Sequence, residues 1–275
     1  MSKVFLQRAT PGHADVYIVN PHSIEERFVV KDYSQCITDT MYCHTTRRIA
    51  RTEYEVLFDM SQSKNTFPSC LQLHDKGVLL TDDRVFPLCI ALPFCNGGDL
   101  FQFVTNRPNV SCWHETGDRI ASNETLRSIR RFAKQMLTSL SDLHCLGWAH
   151  GDVSLENFLL HDGNIFLFDY GQAVKITDTQ YRMQGKCDYH PPEFKSRPIP
   201  PIQWSAVDCY AVGVCIFAMV FGTPPSGGPA AIQCSLALIQ DDPLKNIIQS
   251  LLHYNPLIRL TATNALKHKY FHELS

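Results

Sequence analysis

The sequence has no C-x-x-C pair among its eleven cysteines, no block of like charge, no internal repeat and no low-complexity tract. Each absence narrows the reading. Without cysteines at ligand spacing, neither a zinc cage nor a dithiol redox motif is implied. The odd cysteine count, with Cys89, Cys209 and Cys215 in apolar surroundings, fits reduced thiols in a cytoplasmic compartment. A formal net charge of −2 gives no footprint for nucleic acid or a membrane surface. The opening MSKVFLQRAT lacks the apolar run of a secretory signal. No transmembrane segment is expected either. The most apolar run, residues 206–222, is short and holds Asp208, as a buried core helix would.

What is present is a chain of 275 residues, 44% hydrophobic and 19% charged, long enough to bury a large core. The early segments KVFLQ, DVYIV and RFVVKDY, rich in Val, Phe and Tyr, read as strands. Residues 47–60 place Ile49, Val56, Leu57 and Met60 on one helical face. GVLL and FPLCIAL read as two more strands around a turn at residues 81–83. In 122–146, Leu126, Ile129, Ala133, Met136, Leu137, Leu140 and Leu143 recur at helical spacing, with Ser122 or Asn123 as cap. Residues 158–168 alternate around Asp162-Gly163, a hairpin signal. A strand-rich first third and a helix-rich remainder meet near residues 93–100, where Pro and Gly favour a hinge.

Five segments carry chemistry. GWAHGDVSLENFLL, residues 147–160, holds His150, Asp152 and Asn157. Alone, that spacing also suits a polar-capped surface loop. FLFDYGQA follows at 166–173, FVVK stands at 28–31, CDYHPPE at 187–193, and YNPLIRLTATNAL contains Arg259. Taken in their order along the chain, from about residue 4 to residue 271, the motifs resemble those of the eukaryotic protein kinase superfamily, in its Ser/Thr-type branch.

The resemblance implies an α+β, bilobal fold with a small, mostly antiparallel N-lobe (1–93) carrying one regulatory helix, a hinge (93–98) and a larger helical C-lobe (99–275). It implies ATP and Mg2+ as cofactors and a protein substrate, with no oligomeric state specified. Asp152 would orient the attacking hydroxyl and accept its proton, and Asn157 and Asp169 would bind magnesium. Lys31 would hold the α- and β-phosphates. An inward ammonium on an apolar strand needs an anionic partner. Glu53 suits that role because Val56, Leu57 and Met60 follow it at three, four and seven, with Glu55 as the exposed alternative. Leu92 would be the gatekeeper, the backbone of Pro93 and Cys95 would meet adenine, and Asp99 would meet ribose. Glu193 would pair with Arg259, and Asp208 would brace the catalytic loop. Glu156, where tyrosine kinases generally carry Arg, points to Ser/Thr substrates.

Four positions depart from the family pattern. The phosphate-covering loop reads Ala9-x-Pro11-x-x-Ala14 with a single Gly at 12, so it lacks the glycine-rich motif, as in some divergent parasite kinases. Gly151 replaces the Arg that receives an activation-segment phosphate, so activity is expected without phosphorylation at Thr177, Thr179 or Tyr181. Ser154 stands where such kinases carry Lys, and Lys186 where they carry Thr. Lys186 is either a replacement cation reaching back to Ser154 and Asp152, or a side chain in solvent. Two other functions stay open: a pseudokinase scaffold, and a kinase-fold enzyme acting on a small molecule, which the short, Pro/Gly-rich stretch 223–242 would suit.

Overall fold

Alternating apolar residues near the start of the chain pair into an antiparallel sheet in the computed structural model. It describes residues 3–7, 14–20, 22–23, 26–34, 43–75, 77–80, 87–105, 123–226 and 228–274. The chain divides into two compact units, Met1–Asn96 with Phe168–Ala173, and Gly97–Leu167 with Val174–Ser275.

In the first unit, β1 (Lys3–Gln7), β2 (Asp15–Val19), β3 (Phe28–Asp32), β4 (Val78–Leu80) and β5 (Pro87–Pro93) form one sheet in the order β1-β2-β3-β5-β4. All neighbours run antiparallel. Lys31 lies on the central strand, opposite Val16 on one side and Ile90 on the other. Helix α1 (Cys43–Gln62) buries Ile49, Glu53, Val56, Leu57 and Met60 along one stripe. The helix outruns the expected 47–60 because polar residues at both ends carry it past the apolar stripe that marks it in sequence. The phosphate-loop positions Ala9, Pro11 and Gly12 and the turn at 81–83 lie outside the described residues, while Ala14 is buried just before β2.

The second unit is mainly helical. It comprises α2 (Leu100–Thr105), α3 (Asn123–Cys145), β6 (Trp148–Ala149), β7 (Phe158–His161), β8 (Asn164–Leu167), β9 (Val174–Lys175), α4 (Trp204–Phe221), α5 (Gly228–Ala237), α6 (Asp242–Leu251) and α7 (Ala262–Ala265). Helix α3 buries Ile129, Ala133, Met136, Leu137, Leu140 and Leu143 and packs on α4. Its expected cap at Ser122 lies outside the described residues, as does the Asn123 side chain. β7 and β8 pair as a hairpin, with Asp162 and Gly163 at φ 48° and 77°, the left-handed pair that a two-residue turn requires. Among the described residues, α4 alone is long and apolar enough to cross a membrane. With 78% of that span buried, it is a core helix. A sheet-rich unit with one long helix, followed by a helical unit, is the α+β, bilobal arrangement that the motifs imply.

Candidate active site

Lys31 is 8% exposed on β3, and its ammonium donates to Glu53 Oε1 at 2.6 Å. It also lies 3.0 Å from Asp169 Oδ1. Burial disfavours the ammonium, but the charges of Asp169 and Glu53 outweigh it and hold its pKa above the ordinary lysine value. Glu55 points elsewhere and pairs with Arg51 at 2.8 Å along the helix surface. Tyr33 was not anticipated: its hydroxyl donates to Glu53 Oε2, the second carboxylate oxygen. The available signal was period two, since Tyr33 follows Lys31 by two along an extended chain and so shares its face.

Asp169 adopts φ 64°, ψ 67°, a left-handed conformation that asparagine and aspartate tolerate better than most residues. The residues after it are locked to the first unit. A Cβ on Gly171 would meet Ile49 Cγ2 at 2.5 Å, so only glycine allows this approach to α1. Tyr170 is 1% exposed and its hydroxyl donates to the Leu71 carbonyl at 3.2 Å. The buried hydroxyl is thus satisfied by a backbone acceptor, and burial pushes its pKa well up. Leu92 is buried in β5, Pro93 ends that strand, and Cys95 follows it half-buried. Burial pushes the Cys95 thiol up to about 11.

In the second unit, the segment around Asp152 is held from three directions. Asp208, 1% exposed, accepts from the His150 N–H at 2.7 Å and the Gly151 N–H at 2.9 Å, and lies 2.9 Å from His144 Nε2. Asn157 Nδ2 donates to the Asp152 carbonyl at 2.7 Å and to Asp152 Oδ2 at 3.2 Å. One side chain thus sets both the backbone and the carboxylate of Asp152, and its amide oxygen is the atom suited to ligate a cation. Lys186 Nζ donates to Ser154 Oγ at 2.8 Å and lies 3.3 Å from Glu156 Oε2. Asp99 Oδ1 accepts from the Gln102 N–H at 2.7 Å, so one of its oxygens caps α2.

Structural pairs complete this unit. Arg259 meets Glu193 through two parallel bonds of 2.9 Å, and both residues are buried. Gly151 has φ 74°, so the position where the family pattern has Arg is a left-handed backbone site. The activation segment packs by apolar contact: Tyr181 meets Phe194 edge-on at 5.1 Å, against a core cluster that includes Trp204, Ile202 and Val174.

Among the described residues, no group of three or more His, Cys, Asp or Glu could hold a metal ion. Asp169 offers a carboxylate oxygen in the first unit and Asn157 an amide oxygen in the second, each a hard donor of the kind magnesium takes.

A family model for the protein kinase domain matches residues 14–271. The chain is similar to phototropin-2 of Oryza sativa subsp. japonica, with 25% identity over 237 residues, 68% of this chain and 24% of that protein. It is similar to calcium-dependent protein kinase 12 of the same plant, with 27% identity over 217 residues, 72% of this chain and 37% of that protein. The serine/threonine-protein kinase CG17528 of Drosophila melanogaster is 25% identical over 218 residues, 72% of this chain and 27% of that protein. The matches therefore span 24–37% of the length of these relatives.

Proposed function

Because the chain belongs to the protein kinase family, we propose that it transfers the terminal phosphate of ATP to serine or threonine hydroxyls of protein substrates, in a magnesium-dependent reaction. The observation that carries this reading is the buried Lys31 ammonium shared by Glu53 and Asp169. A buried ion pair contributes little net stability against an apolar replacement, so a scaffold has no energetic reason to keep it. A phosphate-binding site has one.

Lys31 holds the α- and β-phosphates, with Glu53 and Tyr33 fixing its position. The backbone of Pro93 and Cys95 receives adenine beside Leu92, and Asp99 receives ribose through the oxygen not used in capping. Asp152 orients the attacking hydroxyl and takes its proton, aimed by Asn157 and by the loop that Asp208 braces. Asp169 and Asn157 would each supply an oxygen ligand to magnesium, which when bound would offset the charge that builds on the phosphate oxygens.

Activity does not depend on phosphorylation of the activation segment. Gly151 offers no cation to a phosphate, and Tyr181 with Phe194 supplies apolar anchoring in its place. Glu156 supports Ser/Thr over Tyr substrates, and the name of one relative agrees.

The scaffold reading is favoured by the Gly-poor stretch Ala9–Ala14 and by the Arg and Lys missing at Gly151 and Ser154. Nucleotide binding separates the two. Calorimetric titration with ATP should show binding that requires magnesium and weakens at least about tenfold in Asp169→Ala. Binding that ignores the metal supports the scaffold.

A further inference from the structure

Transfer of a phosphoryl group builds negative charge on three oxygens, and a fixed cation beside them lowers the barrier. Residues 150–157 of the loop around Asp152 contain no Lys or Arg. Elsewhere in the second unit, the surroundings of Asp152 contain a cation. A pocket there is lined by Asp152, Gln184, Gly185, Lys186, Tyr189 and His190 among others. Lys186 is the sole Lys or Arg among its described lining residues.

Lys186 is held at its tip while its side chain stays 41% exposed, so the charge is both positioned and reachable. Its ammonium donates to Ser154 Oγ at 2.8 Å, and Ser154 is fully buried, so the acceptor is rigid. Glu156 Oε2 lies 3.3 Å from the same nitrogen. The preceding Gly185 lies at φ 76°, and a Cβ there would come 3.0 Å from the Gly151 carbonyl and 3.2 Å from Asp152 Oδ1. Glycine is what lets the segment rest directly on the loop. On the other side, the Tyr189 hydroxyl accepts from the Leu155 N–H at 3.4 Å. Gly185 and Tyr189 thus pin the segment on either side of Lys186.

We infer that Lys186 is a catalytic residue, the cation of the transferring phosphate, presented by the activation segment and aimed by Ser154 and Glu156. The inference rests on the kinase reading above. In the step it serves, the substrate hydroxyl oxygen bonds to the terminal phosphorus while the bond from that phosphorus to the bridging oxygen breaks. The bonding pair leaves with ADP, and the hydroxyl proton passes to Asp152. Lys186 keeps its proton throughout and neutralises the equatorial oxygens. With the cation carried on the segment, displacing the segment removes it, so catalysis answers to segment position without a phosphate.

The test uses the full chain, dephosphorylated casein as acceptor and magnesium-ATP, with autophosphorylation followed in parallel. Lys186→Ala is expected to lower kcat about 100-fold while KM for ATP stays within about threefold. Exchanging the two residues, Ser154→Lys with Lys186→Thr, should recover at least about tenfold of that loss, which a merely structural lysine would not permit. Lys186→Arg should retain at least about a tenth of kcat, and it decides the matter if the alanine variant fails to fold by thermal melt. Unchanged kcat in Lys186→Ala, with transfer abolished in Asp152→Asn, overturns the inference and leaves the kinase reading intact. A rise in KM alone, or an exchanged variant no better than Lys186→Thr by itself, also overturns it. No transfer by the unsubstituted chain overturns both.

Discussion

Lys31 Nζ lies 2.6 Å from Glu53 Oε1, joining the central strand of the sheet to the one long helix of the first unit. Neither group can stay charged there alone. The glutamate is fully buried, and the Tyr33 hydroxyl occupies its second oxygen. With Asp169 on the other side of the ammonium, Lys31 is held between two carboxylates.

Removing the ammonium leaves Glu53 buried with only a hydroxyl as partner. Lys31→Met is therefore expected to cost about 3 kcal/mol in urea unfolding. The raised pKa sets the pH dependence. A lysine held above its unfolded value contributes fully below that value, about 10.4, and loses the contribution only as pH climbs through the folded value. The difference between Lys31→Met and the natural chain should thus not shrink between about pH 6 and about pH 9. A difference that shrinks across this range would mean a neutral lysine.

Gly151 invites a repair that the backbone resists. Replacing it with Arg would restore the family's phosphate receptor in sequence, but φ is 74° at this residue. Gly151→Arg is expected to cost about 1–2 kcal/mol in stability. It should not make activity respond to phosphorylation of the segment. Thr177→Ala and Thr179→Ala, both at exposed positions, should leave turnover within about twofold. Kinetic assays on the three variants check this, and a large loss in either threonine variant would contradict it.

The thiol of Cys95 reports on the end of β5, where adenine contact is proposed. Burial raises it to about 11, and burial with Asp32 raises Cys89 to about 11 as well. Cys145, Cys187 and Cys234 are exposed. Iodoacetamide at about pH 8 should label those three at least about tenfold faster than Cys95. Peptide mapping gives the order, and magnesium-ATP should slow Cys95 further. Equal rates for all of them would show that Cys95 is not shielded.

Much of this was legible because local pattern and packing agree. The strands, the buried stripe of α1 and the Asp162-Gly163 turn each follow from a short-range rule of period or dihedral angle. A partner for Lys31 was readable because a buried charge requires an opposite one, and Glu193–Arg259 because the resemblance implies that pair. What sequence hides is contact between distant segments. Asp169 meets a lysine 138 residues earlier, and Phe168–Ala173 belongs to the first unit although the chain on either side belongs to the second. Tyr33 lay hidden because its hydroxyl, not its ring, does the bonding. Lys186 meets Ser154, 32 residues earlier, and lies beside Glu156. Gly151 looked like a lost cation, and its positive φ shows a backbone reason for glycine as well.

The most direct measurement is transfer of labelled terminal phosphate from magnesium-ATP to protein, by the unsubstituted chain and by Asp152→Asn. The account predicts serine or threonine phosphate from the first, without prior phosphorylation of the segment, and at least about a 100-fold loss in the second. Magnesium-dependent ATP binding with no phosphate transferred, or equal transfer by both proteins, would contradict it.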